Sequence, residues 1–459
     1  MTTSAGIVFD PELIRRFDVS GPRYTSYPTA DRFIEAFDAE SLERCLKARR
    51  PAPLSLYFHI PFCNTICFYC GCNKIITKNR SRATKYLEYL TREIALQAAL
   101  LDGKKEVTQI HLGGGTPTFL SDDEFRWLMA AIREHFTLVP GGEYSIEVDP
   151  RKVSAETVAL LAELGFNRMS LGVQDFDPDV QKAVNRIQSY EETKAVLDAA
   201  REHGFRSVSI DLIYGLPKQT VTTFERTLDR VLELMPDRIA LYGYAHMPTL
   251  FKPQRRIDAA LLPAGGEKLN ILQRAIQRLT DAGYLYIGMD HFARADDDLA
   301  VALRQGRLQR NFQGYSTQPE CDMLAFGVSG VASIGPIYAQ NHKIIEEYYD
   351  ALDQGRLPVL RGIELSADDV LRRSIIQALM CHFELSIDAI ETDHPICFEE
   401  YFAAELEDLR ELETAGLLEI TDRWIHVLPP GRLLVRAIAM TFDHHLRTKR
   451  ARANYSKII

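Results

Sequence analysis

The stretch HIPFCNTICFYCGC, residues 59–72, places four of the chain's eight cysteines within ten residues, and Cys63, Cys67 and Cys70 are spaced as Cys-x3-Cys-x2-Cys. It follows LSLYFHI (54–60), a short apolar run that reads as a strand, so the cysteines fall on a loop at a strand's carboxyl end. That end carries the chemistry in parallel α/β proteins. The remaining cysteines, Cys45, Cys321, Cys381 and Cys397, are scattered, which points to metal and away from a disulfide framework. Three thiolates from one loop can hold three irons of a cubane and leave the fourth iron open to a ligand. The competing reading is a zinc knuckle with Cys72 as fourth ligand, but Cys-x-Cys is tight for a tetrahedral ion, and a fourth thiolate would close the site.

Outward from this loop the hydrophobic period alternates between short apolar runs and longer amphipathic segments, as in βα units. The strand candidates after 54–60 are 107–114, 144–149, 168–174, 207–215 and 238–246. Between them SDDEFRWLMAAIREHF opens on a Ser cap with acidic residues in its first turn, and SAETVALLAELG opens on Ser154 and ends on Gly165, where a left-handed residue is expected. One main helix per strand predicts an α/β fold with a parallel sheet, either open or curled into a partial (β/α)6 TIM-like barrel. Residues 1–53 read as an irregular N-terminal arm, 54–360 as the catalytic domain and 361–459 as a small, mostly helical C-terminal domain. The terminal RTKRARANYSKII reads as a surface tail.

The chain has 459 residues, 46% hydrophobic and 25% charged, close to globular averages, with a net charge of −9. An acidic balance argues against a nucleic-acid-binding protein. No stretch approaches the roughly 18 apolar residues of a spanning helix, and the N-terminus lacks the apolar core of a signal peptide, so a cytoplasmic protein without membrane insertion is expected. The segment 418–438 resembles a winged hairpin followed by a helix, but that helix has no basic face, so a lid is favoured over a DNA reader.

Further candidates sit at the carboxyl ends of successive strands. In Gly113-Gly114-Gly115-Thr116-Pro117 the missing side chains let backbone groups approach a ligand. Glu147, Gln174, Asp211 and Ala245 follow at the ends of the next four strands, and a carboxylate such as Glu147 can accept both hydroxyls of a ribose.

The cysteine spacing is that of the radical S-adenosylmethionine (SAM) superfamily. The chain most resembles its oxygen-independent coproporphyrinogen III oxidases, through GPRYTSYPTA (21–30), CFYCGCNK (67–74), HLGGGTPT (111–118), SIEVDPR (145–151), FNRMSLGVQDF (166–176), IDLIYGLPKQT (210–220), YAHMPT (244–249) and RNFQGYST (310–317). The resemblance implies one [4Fe–4S] cluster on Cys63, Cys67 and Cys70, two SAM molecules consumed per product, and oxidative decarboxylation of two propionates of coproporphyrinogen III to vinyl groups. It implies a first SAM met by Tyr57, Tyr69, Gly114 and Glu147, and a second met by Gly115, Thr116, Gln174, Arg186, Asp211, Ala245 and Val331. Tyr69 and Val331 stand where relatives carry Phe and Ile. Arg23 in the arm is a candidate partner for a substrate carboxylate, since guanidinium binds carboxylate as a bidentate fork. A reducing electron donor, a terminal electron acceptor and a monomeric state are also expected. A haem chaperone of the same superfamily is the alternative, although such relatives lack the GPRYTSYPTA arm and the Cys70-Gly71-Cys72-Asn73-Lys74 continuation.

Overall fold

In the computed structural model, which describes residues 6–103, 105–318, 321–446 and 455–459, the chain divides into two units. One comprises Phe33–Ala275 and Glu320–Glu364, the other Met1–Arg32, Ile276–Pro319 and Leu365–Ile459.

The first unit is built on eight strands between residues 54 and 243. They are β1 (Leu54–Ile60), β2 (Phe62–Cys63), β3 (Ile75–Ile76), β4 (Glu106–Gly114), β5 (Thr137–Val148), β6 (Arg168–Gln174), β7 (Ser207–Tyr214) and β8 (Arg238–Gly243). Strands β1, β4, β5, β6, β7 and β8 pair in parallel in that order. The helices Ser81–Ala99, Asp122–His135, Ala155–Glu163, Tyr190–Glu202 and Val221–Leu234 make the crossovers. Successive strands lying side by side, each returned by a helix, give the winding of a partial barrel. Burial on both sheet faces explains why β1 is buried at every position except Tyr57. Ser121 with Glu124 and Ser189 with Glu192 form reciprocal capping boxes that start two of the helices. Gly165 ends another at φ +102°, as its sequence position predicts.

All six expected strands are present, and β6 has the expected bounds. β5 begins at Thr137, earlier than the sequence reading places it. The sequence reading also has no strand between 246 and 360. Here Asp322–Phe326 adds in parallel to the free edge of β1, and Val331–Ile334, Ile337–Asn341 and Val359–Glu364 continue the sheet antiparallel. Runs of four to six residues carry too little period to be told from loop.

A buried carboxylate ties this extension to the first crossover helix. Glu93 accepts hydrogen bonds from Gln97 Nε2 (3.0 Å), Asn341 Nδ2 (2.7 Å), Tyr348 Oη (2.7 Å) and the Gly327 amide (2.6 Å). Beside it Tyr86 Oη donates to the His59 carbonyl (2.7 Å) and accepts from the Val328 amide (3.0 Å). The carboxyl end of β1 is thereby joined to the turn after Phe326.

In the second unit the long helix Ala367–His382 is flanked by shorter helices and a three-stranded sheet of Glu384–Ser386, Trp424–Val427 and Leu418–Ile420, which contains the expected hairpin. The N-terminal segment holds a helix, Pro11–Phe17, that the reading as an irregular arm does not anticipate. Gly21 to Arg23 are held by their carbonyls, through Arg436 Nε to Pro22 (2.8 Å) and Arg310 Nε to Arg23 (3.1 Å). Of the expected surface tail, residues 447–454 lie outside the described residues. Beyond them, Lys457 forms a β-bridge with Ser20 and Ile458 is buried.

Burial pushes the Glu93 carboxyl up to about 7, against the hydrogen bonds from Gly327, Tyr348, Asn341 and Gln97. The folded protein thus holds this proton more tightly than the unfolded chain, so its stability falls as pH rises from near 4.5 through about 7. Glu93→Gln sets an amide donor against other donors and is expected to cost about 1–3 kcal/mol at pH 5. Because the variant does not titrate there, denaturant titrations should show the deficit shrinking as pH rises to 8. A deficit that grows would show that the carboxylate is ionised at a net gain.

Candidate functional site

The carboxyl ends of β1 and β4 meet where only glycine fits. A Cβ on Gly115 would lie 2.8 Å from the backbone carbon and oxygen of Pro61, and the Gly115 amide donates to the Ile60 carbonyl (2.8 Å). Gly114 adopts φ +115°, with the His59 ring 2.8 Å from where its Cβ would be. At Gly113 a Cβ would stand 3.0 Å from Glu147 Oε1. The glycine run is therefore a consequence of space as well as of backbone angle.

The cysteine loop is held at each stage. Cys63 lies in β2 and pairs with Ile76 of β3, and its sulfur is 3.4 Å from Thr116 Oγ1. Asn185, in a left-handed conformation, donates from Nδ2 to the Ile66 carbonyl (2.7 Å), and the Phe68 amide donates to Val184 (2.9 Å). Arg186 directs Nη1 at Cys67 Sγ (3.7 Å) and Nη2 at the Gly172 carbonyl (2.5 Å). Its guanidinium also stands 3.5 Å from Asp149, which Arg151 clamps with two hydrogen bonds of 2.8 and 2.5 Å. Burial opposes the charge on Arg186, but Tyr69, Asp149 and Cys67 together hold it protonated. The Tyr69 carbonyl accepts from Gln254 Nε2 (3.0 Å), and its ring packs on the apolar cluster of Val180, Val184, Leu216, Tyr244 and Ile257. Lys74 Nζ closes the loop on the carbonyls of Cys70 (3.1 Å) and Cys72 (3.3 Å).

The donor set discriminates between the two metals considered. A tetrahedral zinc with Zn–S near 2.3 Å sets its sulfurs about 3.8 Å apart. Among the described residues the one trio of His, Cys, Asp or Glu whose ligand atoms all lie within 4.8 Å of one another is Asp369, His444 and His445, in the other unit. The loop thiols, all free of disulfides, form no such trio. No three of them come close enough together to share one ion, which suits a cluster in which each thiolate takes its own iron. A hydrogen bond from Cys72, aided by the Lys74 ammonium and opposed by burial, draws the Cys70 thiol down to about 6. Burial pushes Cys63 up to about 11, so its deprotonation depends on a cation arriving.

Along the strand ends the predicted binders share one face. Tyr57 Oη donates to His59 Nδ1 (3.1 Å) and its ring stacks on that of His111 at 5.9 Å. His59 Nε2 meets the Asn73 carbonyl (2.9 Å), and burial lowers its pKa, so the ring is neutral. Glu147 Oε2 accepts from the Gly114 amide (3.2 Å), Oε1 lies 3.3 Å from His111 Nε2, and the side chain is still 45% exposed. Asp211 accepts from Ser170 Oγ (3.0 Å) and is pushed up to about 7 by burial, with the Glu147 charge adding to it. Gln174 ends β6 at φ +70°, beside a register shift between Gly172 and Gln174 in the β6–β7 pairing. Ala245 follows β8, and Val331 opens the strand two removed from β1, at the same end of the sheet. Arg23 belongs to the other unit, where it is ion-paired with Asp290.

Sequence reasoning missed His59, His111, Asn185 and Gln254. His59 and His111 had a signal: each lies two residues along a strand from a residue already singled out, and alternate residues share a face. Asn185 and Gln254 had none, because their partners are loop carbonyls.

The model of the radical SAM superfamily matches residues 57–231, and that of the HemN C-terminal domain matches 365–434. The oxygen-independent coproporphyrinogen III oxidase of Pseudomonas aeruginosa is 51% identical over 457 residues, 99% of each chain. That of Escherichia coli is 48% identical over 453 residues, again 99% of each. The solved E. coli structure, described as coproporphyrinogen III oxidase (HemN), a radical SAM enzyme, superposes with a TM-score of 0.91 at 47% identity, covering 95% of this chain and 99% of that one. Likeness of that degree along the whole length matches what the cysteine loop and its glycine cradle imply, and the chain belongs to the oxygen-independent coproporphyrinogen III oxidases of the radical SAM superfamily.

Proposed function

We propose that this oxidoreductase converts two propionate side chains of coproporphyrinogen III to vinyl groups, giving protoporphyrinogen IX, and consumes two SAM molecules in doing so. The observation that carries this reading is the fully anchored three-cysteine loop beside a glycine cradle and the half-exposed Glu147. Cys63, Cys67 and Cys70 would hold a [4Fe–4S] cluster. Once bound, that group would supply one electron to cleave one SAM for each propionate, and each deoxyadenosyl radical would take one hydrogen atom from the β-carbon of one propionate, which then loses CO2 and one electron.

The chain's own residues bind and orient. Tyr57, Tyr69, Gly114 and Glu147 are assigned to the first SAM, with Glu147 accepting its ribose hydroxyls. Gly115, Thr116, Gln174, Arg186, Asp211, Ala245 and Val331 are assigned to the second. Arg186 also compensates thiolate charge at Cys67, which its distance and its protonated state support. Arg23 is assigned to a substrate carboxylate, which would have to displace Asp290. The division at 53/54 and 360/361 is retained as one of role, with the C-terminal part as a lid, supported by a matched domain that begins at 365. Among the described residues no helix is long and apolar enough to cross a membrane; a cytoplasmic monomer served by a separate electron donor and acceptor is proposed.

The test is anaerobic: iron and sulfide are restored, SAM, reductant and coproporphyrinogen III added, and 5′-deoxyadenosine, CO2 and protoporphyrinogen measured together. All three should appear, and all should vanish in Cys67→Ala together with the cluster's visible absorption. Cleavage of SAM without loss of CO2 would sink the substrate assignment. Glu147→Gln gives up charge-assisted hydrogen bonds of about 1.5–3 kcal/mol, so SAM affinity should weaken by roughly 10–150-fold in equilibrium dialysis. Arg186→Leu removes an outer partner of a metal-binding thiolate and should lower activity by about 10–100-fold. Iron content that also collapses in this variant would mean that the arginine builds the loop.

A further inference from the structure

The cysteine loop has an outer side on which the charge of the chain reverses. In KIITKNRSRATK, residues 74–85, Lys74, Lys78, Arg80, Arg82 and Lys85 occur without one acidic residue, in a chain of net charge −9. These cations surround the start of the helix Ser81–Ala99, whose first turn holds no acid. Positive charge is unfavourable at a helix N-terminus, so helix stability does not account for it.

The segment lines a surface cavity of about 270 Å³ together with Lys343, Ile344 and one acid, Glu346. Among the described residues, Lys74, Lys78, Arg82 and Lys343 make no ion pair with a carboxylate. Two large apolar side chains stand exposed amid this charge, Ile76 at 42% and Ile344 at 52%. Asn73 Nδ2 donates to the Lys343 carbonyl (3.0 Å), joining the two sides of the patch. β3, which carries Ile76, pairs with β2, which carries Cys63: the Thr77 amide donates to the Cys63 carbonyl (3.0 Å) and the Ile75 amide to that of Pro61 (2.7 Å). One hydrogen bond therefore separates an exposed apolar strand from a cluster-binding residue.

We propose that this face, formed by β3, the start of the helix Ser81–Ala99 and residues 343–346, is the docking surface for a small acidic protein that carries one electron at a time. The inference rests on the radical SAM reading, which requires an electron at this loop. In the complex the carrier is oxidised by one electron and the metal centre held by the thiolates is reduced by one; no atom is transferred. A basic rim around a small apolar centre suits a brief, electrostatically steered encounter, because charge speeds association while the small apolar area keeps release fast.

The test uses the cluster-loaded protein, a reduced flavodoxin as the acidic carrier, and dithionite as a small reductant. The triple variant K78E/R82E/K343E reverses three charges that touch none of the cysteines, and Arg82→Glu favours the helix dipole. Flavodoxin affinity, measured by titration at low salt, should weaken by at least about tenfold, and flavodoxin-driven SAM cleavage should fall with it. Dithionite-driven cleavage should be unchanged, wild-type affinity should drop as salt rises, and K78R/K343R should behave as wild type. Unaltered flavodoxin binding in the triple variant overturns the proposal, as does an equal fall in the dithionite rate, which would make the face a support for the loop. If the wild type cleaves no SAM with dithionite, the radical SAM reading fails, and the flavodoxin titration still decides whether the surface docks a carrier.

Discussion

Everything at the site depends on how closely the backbones of β1 and β4 approach at their carboxyl ends. With Gly115 packed against Pro61 and hydrogen-bonded to Ile60, the chain leaving β1 is forced outward into β2, and Cys63 is set beside Thr116. A side chain at Gly115 would push these ends apart and move the first cysteine relative to the other two. Because β3 then pairs with β2, the return of the loop is registered on the same junction. Glu93 and Tyr86 brace the other side of β1 through Gly327, Val328 and the His59 carbonyl. The loop can thus be irregular because its two ends are not.

Charge is arranged with similar economy. Thiolates, Glu147, Asp149 and Asp211 gather negative charge at the strand ends, and the Glu147 charge adds to the burial that raises the Asp211 pKa. Arg186 and Arg151 offset the part near Cys67, and Lys74 the part near Cys70. Glu147 is left open to solvent while Asp211 is enclosed and pushed up to about 7. Two carboxylates on β5 and β7, with β6 between them, are thereby suited to different work, one as an acceptor for hydroxyls and the other as a group that can hold a proton near neutrality.

The second unit uses buried arginines for a structural purpose. Arg372 joins Asp368, Glu405 and the Phe442 carbonyl, and Arg436 takes carbonyls from the N-terminal segment and from Lys457 and Ile458. The segment is irregular although Gly21, Pro22, Tyr24, Tyr27 and Pro28 are buried, so its carbonyls need partners that no helix or sheet supplies, and a guanidinium with five donors provides them. Tyr24, buried against Asp443, adds a side-chain anchor to the same stretch.

The sequence by itself determined the cysteine spacing, the order of the six parallel strands, the capped starts of the helices and the glycine run, because each rests on local chemistry or on a period of two or 3.6 residues. It also carried the family, since those motifs occur together along the whole chain. Only the tertiary structure decided what lies across from each of them. The strands between 322 and 364 exist because β1 offers an edge to pair with, and that is invisible in runs so short. Asn185 and Gln254 became anchors because the fold brings Ile66 and Tyr69 to them. Arg23 reads as a free cation in sequence, and folding gives it Asp290, 267 residues away. Long-range pairing of polar groups has no period and no local preference, so it is legible only once the chain has closed on itself.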